Sequence, residues 1–326
     1  MGKIYWLLLF LPISSLLAQN YNYKKESETG HPMQVIPNLQ TLKGGLNFLV
    51  MGDWGRHGEE HQLKVAASMA SATVGISSDF YIITGDNFYP KGVASIHDPS
   101  WQSSFEKVYN LHPHYVDWYV VLGNHDYKTN PDAQIAYSEI SARWKMPSRY
   151  YTISKIIAEG VQADFFFIDT SPFQKDYYKD DEYAANVSKT DTSLQKKWLE
   201  QALKKSSARW KFVIGHHPLY SAGKRKGKTQ DMENSFANLF EKYKVDAYFC
   251  GHEHQLEFDQ PIGYHFLQVI SGAGSEATPV TSAPYAKFVA QEFGFAAVSI
   301  TEKEFLLQFI NEEGKILYTS TIQKSE

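Results

Sequence analysis

Nine side chains able to ligate a metal ion recur in one pattern along the 326-residue chain, each close behind a glycine that ends a short apolar run. Gly52-Asp53-Trp54-Gly55 follows Leu46–Met51, and Gly85-Asp86-Asn87-Phe88-Tyr89 follows residues 80–84. Gly123-Asn124-His125-Asp126 follows residues 118–122. Gly215-His216-His217-Pro218 follows Trp210–Ile214, and Gly251-His252-Glu253-His254 follows Ala247–Cys250. The candidates are Asp53, Asp86, Tyr89, Asn124, His125, His216, His217, His252 and His254. A single Gly-Asp after a strand reads as a turn or a cap, and a single buried histidine as a satisfied core residue. Five such ends in succession do not. Carboxylate, phenol, amide and imidazole together suit hard or borderline transition ions. The set is large enough for two ions sharing one carboxylate. Such a pair, roughly 3.5–4 Å apart, clamps the attacking and leaving oxygens of an in-line phosphoryl transfer. No serine or cysteine nucleophile with its base is apparent.

The apolar runs that carry these residues are rich in Val, Ile, Phe and Tyr and read as strands buried on both faces. Between them, residues 59–74, 101–111, 191–206 and 235–243 have helical spacing, with Asp191 or Thr192 as N-cap of the third. Strand–helix alternation predicts an α/β fold with crossover connections. In such sheets ligands gather at the carboxyl ends of the strands, where all five blocks lie. His252 and His254, two apart beyond a strand, both face the cleft while Glu253 points away. The C-terminal runs 295–300, 304–310 and 316–322 read as an antiparallel meander without histidine. Residues 45–326 are expected to form one catalytic domain, preceded by a polar arm over 19–44.

Composition narrows the classes. With 43% hydrophobic and 15% aromatic residues the chain is neither disordered nor fibrous. The single Cys250 leaves no intramolecular disulfide, cysteine-built zinc finger or thiol pair. A net charge of −4 does not point to a nucleic-acid partner. Lys3, a greasy stretch over 6–17 and the small Ala18 read as a signal peptide over 1–18, cut before Gln19. The stretch is too short to span a bilayer and no later segment is apolar enough. A secreted or periplasmic protein with no stable membrane span is expected.

The five blocks resemble the calcineurin-like metallophosphoesterases and, within them, the small mammalian-type purple acid phosphatases. The resemblance runs over about 46–322 and includes Ala133-Gln134-Ile135-Ala136-Tyr137-Ser138, Arg143-Trp144 and Ser271-Gly272-Ala273-Gly274. It implies a four-layer α-β-β-α sandwich of two mixed sheets flanked by helices. Most of the superfamily places a histidine two residues after the first aspartate, where this chain has Gly55. The resemblance implies that Tyr89 replaces it, and a phenolate favours Fe(III). Carried over, Asp53, Asp86, Tyr89 and His254 form a ferric site. Asp86, Asn124, His216 and His252 form a divalent site for Fe, Zn or Mn, with Asp86 bridging.

The implied reaction is hydrolysis of small-molecule or protein phosphate monoesters at acid pH, by in-line attack of metal-bound hydroxide. His125 would protonate or hydrogen-bond the departing oxygen, and Asp126 would orient His125. His217 would lie beside the site. Where the mammalian enzymes have a second active-site histidine, this chain has Arg225, inside the basic run 224–228. Arg225 or Lys226 could contact substrate phosphate, or the run could be a solvated loop. A regulatory loop of the family corresponds to 172–191, here acidic and tyrosine-rich. Asn186-Val187-Ser188 is a glycosylation triplet. A phosphodiesterase or nucleotidase on the same metals, or a phosphate- or iron-binding protein with a degenerate site, are the rival readings.

Overall fold

A computed structural model describes residues 33–324. The expected signal peptide over 1–18 lies outside the described residues, as does most of the arm. Residues 33–44 are irregular and run along the first sheet, where the Leu42 amide donates to Ser299 Oγ (2.9 Å) and Ile36 is buried.

Among the described residues fourteen strands form two seven-stranded mixed sheets. The first contains β1 (Leu46–Met51), β2 (Phe80–Ile83), β3 (Asp117–Val120), β4 (Trp144–Lys145), β12 (Gly294–Ile300), β13 (Glu304–Asn311) and β14 (Ile316–Gln323). Its spatial order is β14-β13-β12-β1-β2-β3-β4. The strands β1 to β4 run parallel, and β12 to β14 are the expected antiparallel meander, added to β1. The second contains β5 (Tyr151–Ala158), β6 (Val161–Phe167), β7 (Trp210–Ile214), β8 (Ala247–Cys250), β9 (Leu256–Asp259), β10 (Leu267–Ser271) and β11 (Ala286–Ala290). Its order is β11-β9-β10-β8-β7-β6-β5.

Side-chain alternation stacks these sheets. Phe48 of β1 meets Phe80 of the same sheet at 5.1 Å, and Phe165, Phe212 and Phe249 of the other at 5.5, 6.3 and 6.0 Å. The residue adjacent to each of these along β6, β7 and β8 points the opposite way. Phe166, Val213 and Tyr248 therefore join a separate cluster with Leu199 and Leu203 of helix α2 (Thr192–Lys205) and Phe236 and Phe240 of α3 (Gln230–Lys242). Helix α1 (Gln62–Ile76) packs on β1, β12 and β13 of the first sheet through Val65, Met69 and Ala72. Helix, sheet, sheet, helix is the four-layer arrangement expected.

Helix α2 has the expected bounds, and Asp191 caps it through Oδ1, which accepts from the amides of Ser193 (2.9 Å) and Leu194 (3.2 Å). Others differ. Helix α1 starts three residues late because His57, Gly58 and Glu60 take left-handed conformations that form a turn first. Helix α3 starts five residues early. Its polar first turn hides the start, but Met232, Phe236 and Phe240 are one buried stripe at i, i+4, i+8. Residues 101–111 form only a short wide-helical turn, Trp101–Glu106. Trp101 and Phe105 are drawn into an aromatic cluster with Phe88, Trp118 and Trp144.

Candidate metal centre

Five loops leave the carboxyl ends of β1, β2, β3, β7 and β8 and converge. Asp53, Asp86 and His252 adopt φ values of +59°, +49° and +69°. Side chains rarely take that left-handed conformation outside glycine, and here it turns three candidate ligands inward.

Each aspartate spends one oxygen on the scaffold. Asp53 Oδ2 accepts the His252 amide (2.9 Å) and Asp86 Oδ1 the His125 amide (2.7 Å). The other oxygens face the cluster. Tyr89 Oη lies 3.2 Å from Asp53 Oδ1, 3.1 Å from Asp86 Oδ2 and 3.1 Å from His254 Nε2. His216 Nε2 lies 3.4 Å from the same Asp86 Oδ2, 3.2 Å from Asn124 Oδ1 and 3.1 Å from His252 Nδ1. Two groups of donors thus meet at one carboxylate oxygen. His216 Nδ1 donates to the Thr84 carbonyl (2.8 Å), which fixes the tautomer that leaves Nε2 a lone pair. Asn124 Nδ2 donates to Tyr183 Oη (3.4 Å), leaving Oδ1 inward.

The electrostatics fit cations. Burial is the largest influence on His216 and disfavours its charge, yet Asp86 and Asp53 raise its pKa to about 9. For His254, burial is likewise outweighed by Asp53 and Glu276, and the pKa rises to about 10. Burial pushes Asp86 upward, but His216 and His125 hold it below the usual carboxylate range. Donor atoms crowded at 3.1–3.4 Å, in a field that draws positive charge onto both imidazoles, are an environment that metal ions satisfy. The residues present fit a two-ion site.

Gly55 stands where it leaves no room. A Cβ there would lie 1.9 Å from the Asn87 carbonyl oxygen, and the Gly55 carbonyl accepts the Tyr89 amide (2.9 Å). The first loop must touch the second for Tyr89 to reach the cluster.

A calcineurin-like phosphoesterase family profile matches residues 46–256, the span of all five loops. The chain belongs to this family. Within it, the chain is 35% identical over 291 residues to purple acid phosphatase 17 of Arabidopsis thaliana, covering 84% of this chain and 83% of that one. It is 32% identical over 305 residues to human tartrate-resistant acid phosphatase type 5, covering 86% and 91%. The fold is also that of GAP50, the anchor in the inner membrane complex of Plasmodium (TM-score 0.75, 22% identity, 86% and 90% covered). The relatives make this phosphoesterase a metal-dependent acid phosphatase of the purple type, a phosphoric monoester hydrolase. Among its described residues no helix is long and apolar enough to cross a membrane.

The surroundings of this phosphatase's metal cluster correct several expectations. Asp126 does not orient His125. It is fully buried and accepts the amides of Gly123 (2.8 Å), Asn87 (3.1 Å) and Phe88 (3.3 Å), tying the second loop to the third. His125 is oriented by the Pro90 carbonyl, which accepts from Nδ1 (2.7 Å); its Nε2 lies 4.0 Å from Asp86 Oδ2. His217 is beside the cluster, but Nδ1 is bonded to Thr170 Oγ1 (2.8 Å) and Nε2 to Tyr177 Oη (2.9 Å). Arg225 reaches the site's edge but is committed to buried Glu253 (2.7 Å) and the His252 carbonyl (3.4 Å). Lys226 is drawn away, onto the Ser282 carbonyl. Of the two, only Arg225 stays at the site, with Nη1 held by Glu253 and its side chain about a third exposed. Asn186 Nδ2 donates to the carbonyls of Tyr127 (2.7 Å) and Thr129 (2.8 Å), so a glycan there would have to displace both bonds.

Sequence reading missed Arg56 and Glu276. The Arg56 guanidinium lies 3.8 Å over the Tyr89 ring and pairs with Glu276, which also meets His254 Nδ1 (3.2 Å). Their signal was adjacency: Arg56 directly follows Gly55, and Glu276 lies just beyond Gly274. Tyr177 lay unread in the tyrosine-rich segment.

Proposed function

We propose that this chain is a secreted or periplasmic acid phosphatase, its catalytic domain spanning 45–326, that hydrolyses phosphate monoesters with Fe(III) paired to a divalent ion. The observation that carries the reading is the meeting of both donor groups at Asp86 Oδ2, with the Tyr89 phenol in one of them. Asp53, Tyr89 and His254 would hold the ferric ion, and Asn124, His216 and His252 the Fe, Zn or Mn partner, with Asp86 between. The phenolate is the donor that favours the trivalent ion. The chemistry such a pair contributes is polarisation of the phosphoryl group and acidification of the attacking water.

The protein's own groups supply the rest. The scaffold bonds to Asp53 Oδ2, Asp86 Oδ1 and His216 Nδ1 hold the donors before substrate arrives, so no reorganisation is needed in the transition state. Pro90 aims His125 Nε2 at the cluster, where an imidazole can donate to a phosphate or departing oxygen. His125 is about a quarter exposed, as a group meeting substrate must be.

The experiment is a comparison of 4-nitrophenyl phosphate with its bis-ester on purified enzyme at pH 5 and 7. Monoester turnover exceeding diester turnover, and higher at pH 5, supports the reading. Preferential diester cleavage would assign the site to a phosphodiesterase.

A further inference from the structure

Beside the cluster lies a cavity of about 460 Å³ whose wall includes Tyr177, His217, Arg225, Lys228 and the candidate ligand His252. An ester group on a phosphate held at the cluster would have this space beside it. Arg225 gives its Nη1 to Glu253. Tyr177 also lines the cavity, and the hydrogen positions around it follow from its neighbours. Thr170 Oγ1 accepts the amides of His216 (3.2 Å) and His217 (3.1 Å), so its own proton is the group that meets His217 Nδ1. His217 is then the tautomer protonated on Nε2, and that proton goes to Tyr177 Oη at 2.9 Å. The phenol oxygen accepts and its own O–H has no other hydrogen-bond partner among the described residues. The Tyr177 ring is held by stacking on Tyr183 (4.4 Å), whose Oη takes the Asn124 amide. The donor is thus fixed from two sides, once through His217 and once through the candidate ligand Asn124.

We propose that Tyr177 is a catalytic residue whose phenol donates a hydrogen bond to the ester oxygen of the leaving group, with His217 and Thr170 as positioning residues. This rests on the monoester reading above. The bond strengthens as negative charge builds on that oxygen, so its value grows with the basicity of the leaving group. Aryl phosphates, whose phenolates leave readily, need it less than alkyl phosphates.

The test is Tyr177→Phe, which keeps the stacked ring, assayed on 4-nitrophenyl, phenyl and glycerol phosphates. By the usual worth of one oriented donor, kcat should fall about 100-fold on glycerol phosphate but only about 5-fold on 4-nitrophenyl phosphate. Metal content and the visible spectrum should stay at wild-type values. Tyr177→Gln, with an amide donor, should recover part of the alkyl-phosphate rate. An equal loss on all three substrates, no loss, or loss of metal along with activity would overturn the proposal. So would a Gln variant no better than Phe. Wild-type enzyme inert toward all three esters would instead overturn the monoester reading itself.

Discussion

The Tyr89 phenol oxygen lies 3.1 Å from Asp86 Oδ2, and the two residues sit three positions apart on one loop. That loop alone supplies the shared carboxylate and the phenol. The other members of the Tyr89 group, Asp53 and His254, come from the β1 and β8 loops, so the group exists only when both sheets are packed. Tyr89 reaches its place because Gly55 lets the first loop touch the second.

Gly55 should therefore resist restoration of the histidine common elsewhere in the superfamily. A Cβ at 1.9 Å from the Asn87 carbonyl cannot be relieved by a side-chain shift. Gly55→Ala should cost at least about 3 kcal/mol, as overpacking against backbone does. Gly55→His should not restore a metal ligand. Urea unfolding and metal content check both, and a stable, metal-replete Gly55→His variant would refute the contact.

Asp126 holds loops rather than orienting His125. Asp126→Asn puts an amide where three backbone N–H groups need an acceptor, at a cost of about 2–3 kcal/mol. Metal affinity should fall 10- to 100-fold with it, as for other partners that hold ligand loops. Equilibrium dialysis reads the affinity. Unchanged affinity with slower turnover would restore the role of orienting His125.

Much of this site was legible from the chain. A glycine and a ligand at the end of an apolar run mark where strands stop, and α/β topology gathers such ends. What the chain could not disclose depends on contacts between distant segments. Asp126 and His125 are neighbours in sequence, yet their partners are Asn87, Gly123 and Pro90. His217 looks like a spare ligand until Thr170 and Tyr177 claim its nitrogens. Strand β5 was missed because alternate residues are exposed and its apolar content is diluted.

Arg56 places a cation on the face of Tyr89, where it would stabilise the filled orbital of a phenolate bound to the proposed ferric ion. Arg56→Met should move the phenolate-to-iron absorption band to longer wavelength without abolishing it. A visible spectrum is sufficient. An unmoved band would mean that the guanidinium serves only Glu276.

Acid should act on Glu241. Burial raises its pKa, but the His265 amide (2.9 Å), the His265 ring and Lys244 outweigh this and lower it to about 2. A depressed carboxylate pKa adds stability above the unfolded value and loses it as pH falls toward the folded one. With a third of its side chain exposed, the contribution is at most about 1 kcal/mol. Glu241→Gln should be less stable than wild type at pH 6, with the deficit shrinking steadily as pH falls from about 4.5 toward 2, by urea unfolding at each pH. A deficit that persists in acid would contradict the pairing.

In the proposed centre one phenol and one shared carboxylate hold two ions side by side. Metal analysis of purified protein together with its visible spectrum, for wild type and Tyr89→Phe, tests it most directly. Two ions per chain, iron among them, and a broad visible band that Tyr89→Phe bleaches are expected. A single ion per chain, or a band that survives the loss of the phenol, would contradict it.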